Sequence, residues 1–320
     1  MTSFLRFKSL LTVSGALLFL MALASCGNQK TADSSSEQST LNVVTTFLPI
    51  TLFTEAVAGE CATVTALIPP NLGPHDFQAT PTDIAALSNA QILVKNGLGM
   101  EYFLDKLTDS AENKSLQVID TSRGVAVIKS DDEENENGAD GSDQNQGEVN
   151  PHIWLDPLRA VQQVENIRDG LVKADPGCAD GYTKRAAAYA LQLKELNTAI
   201  ASQLKPFRGK TFIAFHDFAP YFAERYDLKA DFVVDVPEMN PTPADLQRVS
   251  TKVQQSQLKA LLSEPQEGDR SFNALAEDLG VNVVTFDPLE TGSEEASKKP
   301  DTYFTVMKSN VASLIKSFGG

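Results

Sequence analysis

The chain has 320 residues, 42% hydrophobic and 22% charged, with 42 Asp and Glu against 27 Lys and Arg for a formal net charge of −15. So acidic a chain argues against nucleic-acid binding, which runs on phosphate neutralisation by Lys and Arg, and is compatible with attracting cations. The length is enough for two modest domains, each with its own core.

Residues 1–25 read as a lipoprotein signal peptide. Arg6 and Lys8 form its positive region, and residues 10–24 are mostly apolar but too short for a comfortable membrane span. The segment ends in Leu23-Ala24-Ser25-Cys26, a bacterial lipobox in which Cys26 would be lipidated and left as the first residue. An ordinary signal peptide or an uncleaved anchor is the alternative. One acylated N-terminus would tie a soluble domain to a membrane surface outside the cytoplasm, in the periplasm or at the cell surface. Residues 26–40, polar and rich in Ser and Thr, read as a flexible tether. Cys61 and Cys178 then remain, an even pair in an exported protein that reads as a disulfide; two unrelated small buried residues are the alternative.

From residue 41 onward apolar runs alternate with helical patterns. Strands are expected over 41–47, 62–68, 91–95 and 116–119, with helices up to about 58, over 81–89 and over 100–110. Residues 129–148 break the pattern: they are dense in Asp and Glu, nearly devoid of apolar side chains, and expected to form a mobile loop. A calcium loop does not fit there, because Glu133 stands at the first position and Gln144 where the bidentate Glu belongs. Helices follow over 157–173 and 179–205; the latter has no Pro, and at 1.5 Å per residue it would span roughly 35–40 Å. Strands restart at 211–215, 229–236, 258–263 and 281–286. The fold class is therefore α/β: an N-terminal lobe (41–178) and a C-terminal lobe (206–320) joined by one long rigid helix (179–205).

The chain contains only three histidines, each in its own punctuated motif: Pro74-His75-Asp76, Asn150-Pro151-His152-Ile153-Trp154 and Phe215-His216-Asp217. A single loop histidine is more often a surface residue than a ligand; three of them at strand ends point to a metal. In open α/β sheets ligands bind beyond the carboxyl ends of the strands. His216 and Asp287 each stand one residue past an expected strand of the second lobe, while His75 and His152 belong to the first. A cleft between the lobes would receive two groups from each side, a four-ligand site without the vacancy that activates water.

The motifs carry a family resemblance over nearly the whole mature chain. Asn96-Gly97-Leu98-Gly99-Met100-Glu101, Asn150-Pro151-His152-Ile153-Trp154-Leu155-Asp156-Pro157, Pro237-Glu238-Met239-Asn240-Pro241-Thr242, Ser263-Glu264-Pro265-Gln266 and Phe286-Asp287-Pro288-Leu289 join the histidine motifs. Together they resemble the substrate-binding lipoproteins of bacterial ABC importers for zinc and manganese, the ZnuA-like or cluster A-I solute-binding proteins. The resemblance implies that His75, His152, His216 and Asp287 are the metal ligands, that the transported ion is the bound species, and that the partner is a membrane permease. It implies a monomer and no enzyme. Relatives often carry a His-rich acidic insertion where residues 129–148 lie; here that segment has no His.

Three imidazoles and one carboxylate suit Zn(2+) better than Mn(2+), which prefers oxygen-rich sites. In manganese members of the family the third position is usually Glu, whereas here it is His216. Manganese is the runner-up. A zinc hydrolase would need an open coordination position and a poised base, and no His-Glu-x-x-His pair is present. A surface adhesin is a further alternative, unsupported by any repeat or exposed aromatic stripe.

Overall fold

A computed structural model describes residues 40–129, 149–237, 239–265 and 270–319. The signal segment with Cys26, the tether up to residue 39 and the acidic segment from 130 to 148 lie outside the described residues.

The first lobe alternates β1 (Leu41–Thr45), α1 (Leu48–Ala58), β2 (Ala62–Ala66), α2 (Pro81–Asn89), β3 (Ile92–Lys95), α3 (Leu104–Ala111) and β4 (Gln117–Asp120). Its strands pair in the order β2-β1-β3-β4, all parallel. The central strands β1 and β3 read Leu-Asn-Val-Val-Thr and Ile-Leu-Val-Lys and are almost wholly buried, as strands covered on both faces must be. Helix α2 starts with Pro81 in its first turn and a reciprocal cap between Thr80 and Asp83, which satisfies amides that the helix itself cannot. Helix α3 begins later than the pattern over 100–110 predicts. Gly97, Leu98 and Gly99 all have positive φ, and the buried Glu101 carboxylate accepts the amides of Asn96 and Gly97 at 2.7 and 3.0 Å. That loop closes on itself before the helix can start.

Two helices follow, α4 (Pro157–Ala174) and α5 (Ala179–Leu204). Asp156 caps α4 by accepting the Leu158 amide at 2.9 Å, and Pro157 supplies a first-turn residue that needs no donor. Helix α5 has 26 residues, about 39 Å at 1.5 Å per residue, and packs against α1, α4, Pro220–Tyr226 (α6) and Thr302–Ser317 (α10).

The second lobe contains β5 (Thr211–His216), α6 (Pro220–Tyr226), β6 (Lys229–Val234), α7 (Pro243–Ser256), β7 (Ala260–Ser263), α8 (Arg270–Leu279), β8 (Asn282–Thr285), α9 (Glu294–Ser297) and α10 (Thr302–Ser317). Its sheet repeats the topology of the first, in the order β6-β5-β7-β8 and again parallel.

The core differs from the expectation of one per lobe. A single apolar cluster runs from Val43, Phe53 and Trp154 through Tyr189 and Leu193 of α5 to Phe212, Phe286 and Tyr303. Two smaller clusters stay separate among the described residues, one around Ile213, Val249 and Leu261 of the second lobe and one of Val125, Ile153 and Tyr221. The cause is the pair α5 and α10, which lie across both lobes: Tyr303 of α10 packs edge-on against Phe53 of α1 at 5.1 Å, and Phe53 also meets Tyr189 of α5. The lobes are therefore welded along one side.

Cys61, just after α1, is paired with Cys178, just before α5, with Cα atoms 6.2 Å apart and a sequence separation of 117. The bond ties the first lobe to the foot of α5. Replacing both with serine is expected to lower unfolding stability by roughly 2–4 kcal/mol, because so long a loop is no longer closed in the unfolded chain. Peptide mass mapping without reduction should recover the linked pair; two alkylatable thiols in the native protein would contradict it.

Candidate metal centre

In both sheets the strand order reverses between the two central strands, and the crevice beyond those carboxyl ends is where a doubly wound sheet offers a site. His216 is the last residue of β5 and Glu264 the first after β7. Since Ala214 pairs with Leu262 across these strands, continuing the register sets His216 beside Glu264. The Glu264 carboxylate accepts the His216 amide at 3.1 Å and lies 2.7 Å from the ring Nδ1 through either oxygen.

His152 arrives from the first lobe on the turn that leads into α4. Pro151 is held through its carbonyl by the Asn96 amide group at 3.0 Å, and Asn150 Oδ1 accepts both the His152 amide and, at 3.0 Å, faces its ring Nδ1. Trp154 packs against the His152 ring, and its indole N–H donates to the Pro288 carbonyl of the opposite lobe. His75 comes from the long connection between β2 and α2. That connection is secured to the second lobe where the Gly292 amide donates to Pro70 O at 2.6 Å.

The three rings turn their Nε2 atoms toward one carboxylate, that of Glu290. Glu290 Oε1 lies 2.9 Å from His152, 3.4 Å from His216 and 3.7 Å from His75, and the His152 and His216 Nε2 atoms are 3.4 Å apart. All four donor atoms fall within 4.8 Å of one another. His152, His216 and Glu290 are buried, while His75 is the most exposed of the four.

The fourth position is a correction: the structure brings Glu290 to the histidines, not Asp287. Asp287 shapes the turn instead. Its Oδ1 accepts the Leu289 amide at 2.7 Å, and its own backbone is clamped on both sides by the Asn310 side chain of α10. Leu289, buried and at φ 66°, then adopts a left-handed conformation that β-carbons disfavour, and the chain swings Glu290 inward. The strand-end rule selects the first acidic residue past β8, but an Asp followed by Pro is a turn signal, and the side chain delivered is the one beyond the turn. Glu264 and Asn150 stand in motifs legible in the sequence, yet their roles beside the ligands depend on sheet register and loop closure.

Burial opposes charge on His152, His216 and Glu290. On His216 it is overcome by Glu264 and Glu290, which push the imidazole up to about 10. Burial prevails on His152, which falls to about 4 despite Glu290. Glu290, against the same desolvation, is held well below the usual carboxylate range, first by His216 and then by hydrogen bonds from the histidines. Asp287, lacking a cationic neighbour, is raised by burial to about 6. Without metal, the cluster is thus a proton-holding His216 between two carboxylates beside a neutral His152.

Three nitrogen donors and one carboxylate, drawn from two parallel-sheet lobes spanned by a helix, make a cluster of the kind that could hold a metal ion. The chain belongs to the ZnuA family: the family model described as zinc-uptake complex component A, periplasmic, matches residues 43–317. It is 32% identical over 307 residues to the zinc-binding lipoprotein AdcA of Streptococcus pneumoniae, covering 96% of this chain and 60% of AdcA. The chain thus spans about 60% of the length of that relative. It is 29% identical to the high-affinity zinc uptake system protein ZnuA of Bacillus subtilis, with 97% of each chain covered. Among solved structures, the Zn(II)-bound ZnuA-like domain of Streptococcus pneumoniae AdcA superposes with a TM-score of 0.72 at 30% identity, over 87% of this chain and 98% of that domain. The laminin-binding protein Lmb of Streptococcus agalactiae, described as having adhesin and metal-transporting activity, gives a TM-score of 0.74 at 25% identity over 87% of this chain and 99% of Lmb.

The protonation pattern has a measurable consequence. A metal needs the His216 Nε2 lone pair, and the raised value keeps that ring protonated through neutral pH. Loading near neutrality is therefore expected to release about one proton, and apparent affinity should climb roughly tenfold per pH unit until His216 itself titrates. Calorimetry in buffers of different protonation enthalpy measures the release; a heat independent of buffer would contradict it.

Proposed function

We propose that this chain is the extracytoplasmic zinc-capturing component of an ABC importer, that His75, His152, His216 and Glu290 hold the ion, and that the loaded protein hands it to the membrane permease. The observation that supports this most is the convergence of three Nε2 atoms on one buried carboxylate oxygen at 2.9–3.7 Å. Three imidazoles favour zinc over manganese, and four protein donors leave no coordination position given over to water activation. Anchoring through a lipidated Cys26 and action as a monomer complete the reading. No helix among the described residues is long and apolar enough to cross a membrane, so attachment through a modified N-terminus suits the chain.

Glu290 and Asp287 can be separated by conservative amides. Glu290→Gln removes the anionic donor, and zinc affinity is expected to fall at least roughly a hundredfold. Asp287→Asn keeps a carbonyl oxygen for the Leu289 amide, so the turn and the binding should survive. Chelator competition on the two variants gives the answer; the reverse ranking would return the ligand role to Asp287. Metal-free protein offered equimolar zinc and manganese should retain close to one zinc per chain, and retention of manganese instead would overturn the choice of ion.

A further inference from the structure

Glu264 is not one of the four donors, yet it is buried as deeply as His152, His216 and Glu290, with 2% of its surface exposed. Parallel register places it opposite His216 at the carboxyl ends of two adjacent central strands. Its carboxylate receives both N–H groups that His216 can direct backward, the backbone amide at 3.1 Å and the ring Nδ1 at 2.7 Å. With Nδ1 committed as a donor to Glu264, Nε2, the atom facing Glu290 and His152, is the nitrogen left to bind an ion once its own proton has gone.

His152 and His216 are not backed equally. Behind His152 stands the neutral carbonyl of Asn150, at 3.0 Å from Nδ1. Behind His216 stands a full negative charge. A carboxylate accepting the distal N–H raises the electron density available at the ligating nitrogen, and removing such a partner typically costs a site 10–100-fold in metal affinity. Charge points the same way: three neutral imidazoles and Glu290 would leave a divalent ion with a net positive charge in a desolvated pocket, and Glu264 cancels it across the width of one ring.

We propose that Glu264 is a positioning residue that sets the donor strength of His216, and through it the preference of the centre for zinc over manganese. This rests on His75, His152, His216 and Glu290 being the ion's ligands. An oxygen-seeking ion gains little from a stronger imidazole, so the effect is directed at nitrogen-seeking ions.

Glu264→Gln is the decisive variant, because the amide oxygen still accepts the ring N–H while the charge is lost. Four quantities are read on wild type and variant: zinc affinity by chelator competition, manganese affinity, the visible ligand-field spectrum of the cobalt-loaded protein, and the Tm of the metal-free protein. The expected result is a loss of about 10–100-fold in zinc affinity, a smaller loss for manganese, and shifted cobalt bands. A purely structural residue would lower the metal-free Tm and leave the cobalt spectrum and the zinc-to-manganese ratio at their wild-type values; that outcome overturns the proposal. His152→Ala is the control. If it keeps tight zinc binding, the four-donor reading itself fails, whatever Glu264 does. Should Glu264→Gln not fold, Glu264→Asp takes its place, retaining the charge one methylene farther back; wild-type spectrum and affinity in that variant overturn the proposal equally.

Discussion

A carboxylate with 1% of its side chain exposed cannot stay charged unless cationic or hydrogen-bonding groups surround it, and Glu290 finds those groups on both sides of the seam between the lobes. His75 and His152 come from the first lobe and the connection leading out of it, His216 from the first strand of the second. Neither sheet alone would make a stable home for this charge. The centre is thus a product of lobe assembly: each lobe separately would expose histidines that the whole molecule turns inward.

Assembly is in turn enforced by a polar seam around the ligands. The Asn150 side chain donates to the carbonyl and carboxylate of Asp217 while its oxygen holds His152, so one amide fixes the neighbours of two ligands. Tyr221 of α6 donates to Asn150 O at 2.7 Å and accepts the Ile128 amide. Beneath it the fully buried Asp156, cap of α4, takes a two-point grip from Arg225 of α6 and a third contact from Arg159. A buried ion pair of this kind adds little net stability over an apolar substitute, but losing one partner leaves a stranded charge, so it restricts how the lobes can sit. With the continuous core along α5 and α10, these contacts leave small adjustments of loops and side chains as the natural motion on loading, rather than wide opening of one lobe from the other.

The burial gradient across the donors indicates a direction of access. His75 retains 16% of its side-chain surface exposed, whereas the other three donors are at 4% or less. It also rides on a loop rather than on a strand or at the cap of a helix, with Tyr102 nearby and 69% exposed. An ion would meet His75 first and release it last, passing inward to the three donors that the sheets and caps hold still.

Much of this molecule is legible in one dimension. The alternation of β-branched runs with capped helices marks two parallel α/β lobes, the uninterrupted run of helix formers marks α5, and three isolated histidines mark the cluster at the cleft, because periodicity, caps and rare side chains are local properties. What the tertiary structure decided is everything that needs two segments at once. Strand register sets Glu264 behind His216. The Asp287 turn and the left-handed Leu289 carry Glu290, not Asp287, to the centre. Packing of α5 and α10 across both sheets merges two expected cores into one. A carboxylate is common in this chain and carries no mark of its partner; only the folded path, which desolvates Glu290 among imidazoles and leaves Asp287 to accept a backbone amide, distinguishes them.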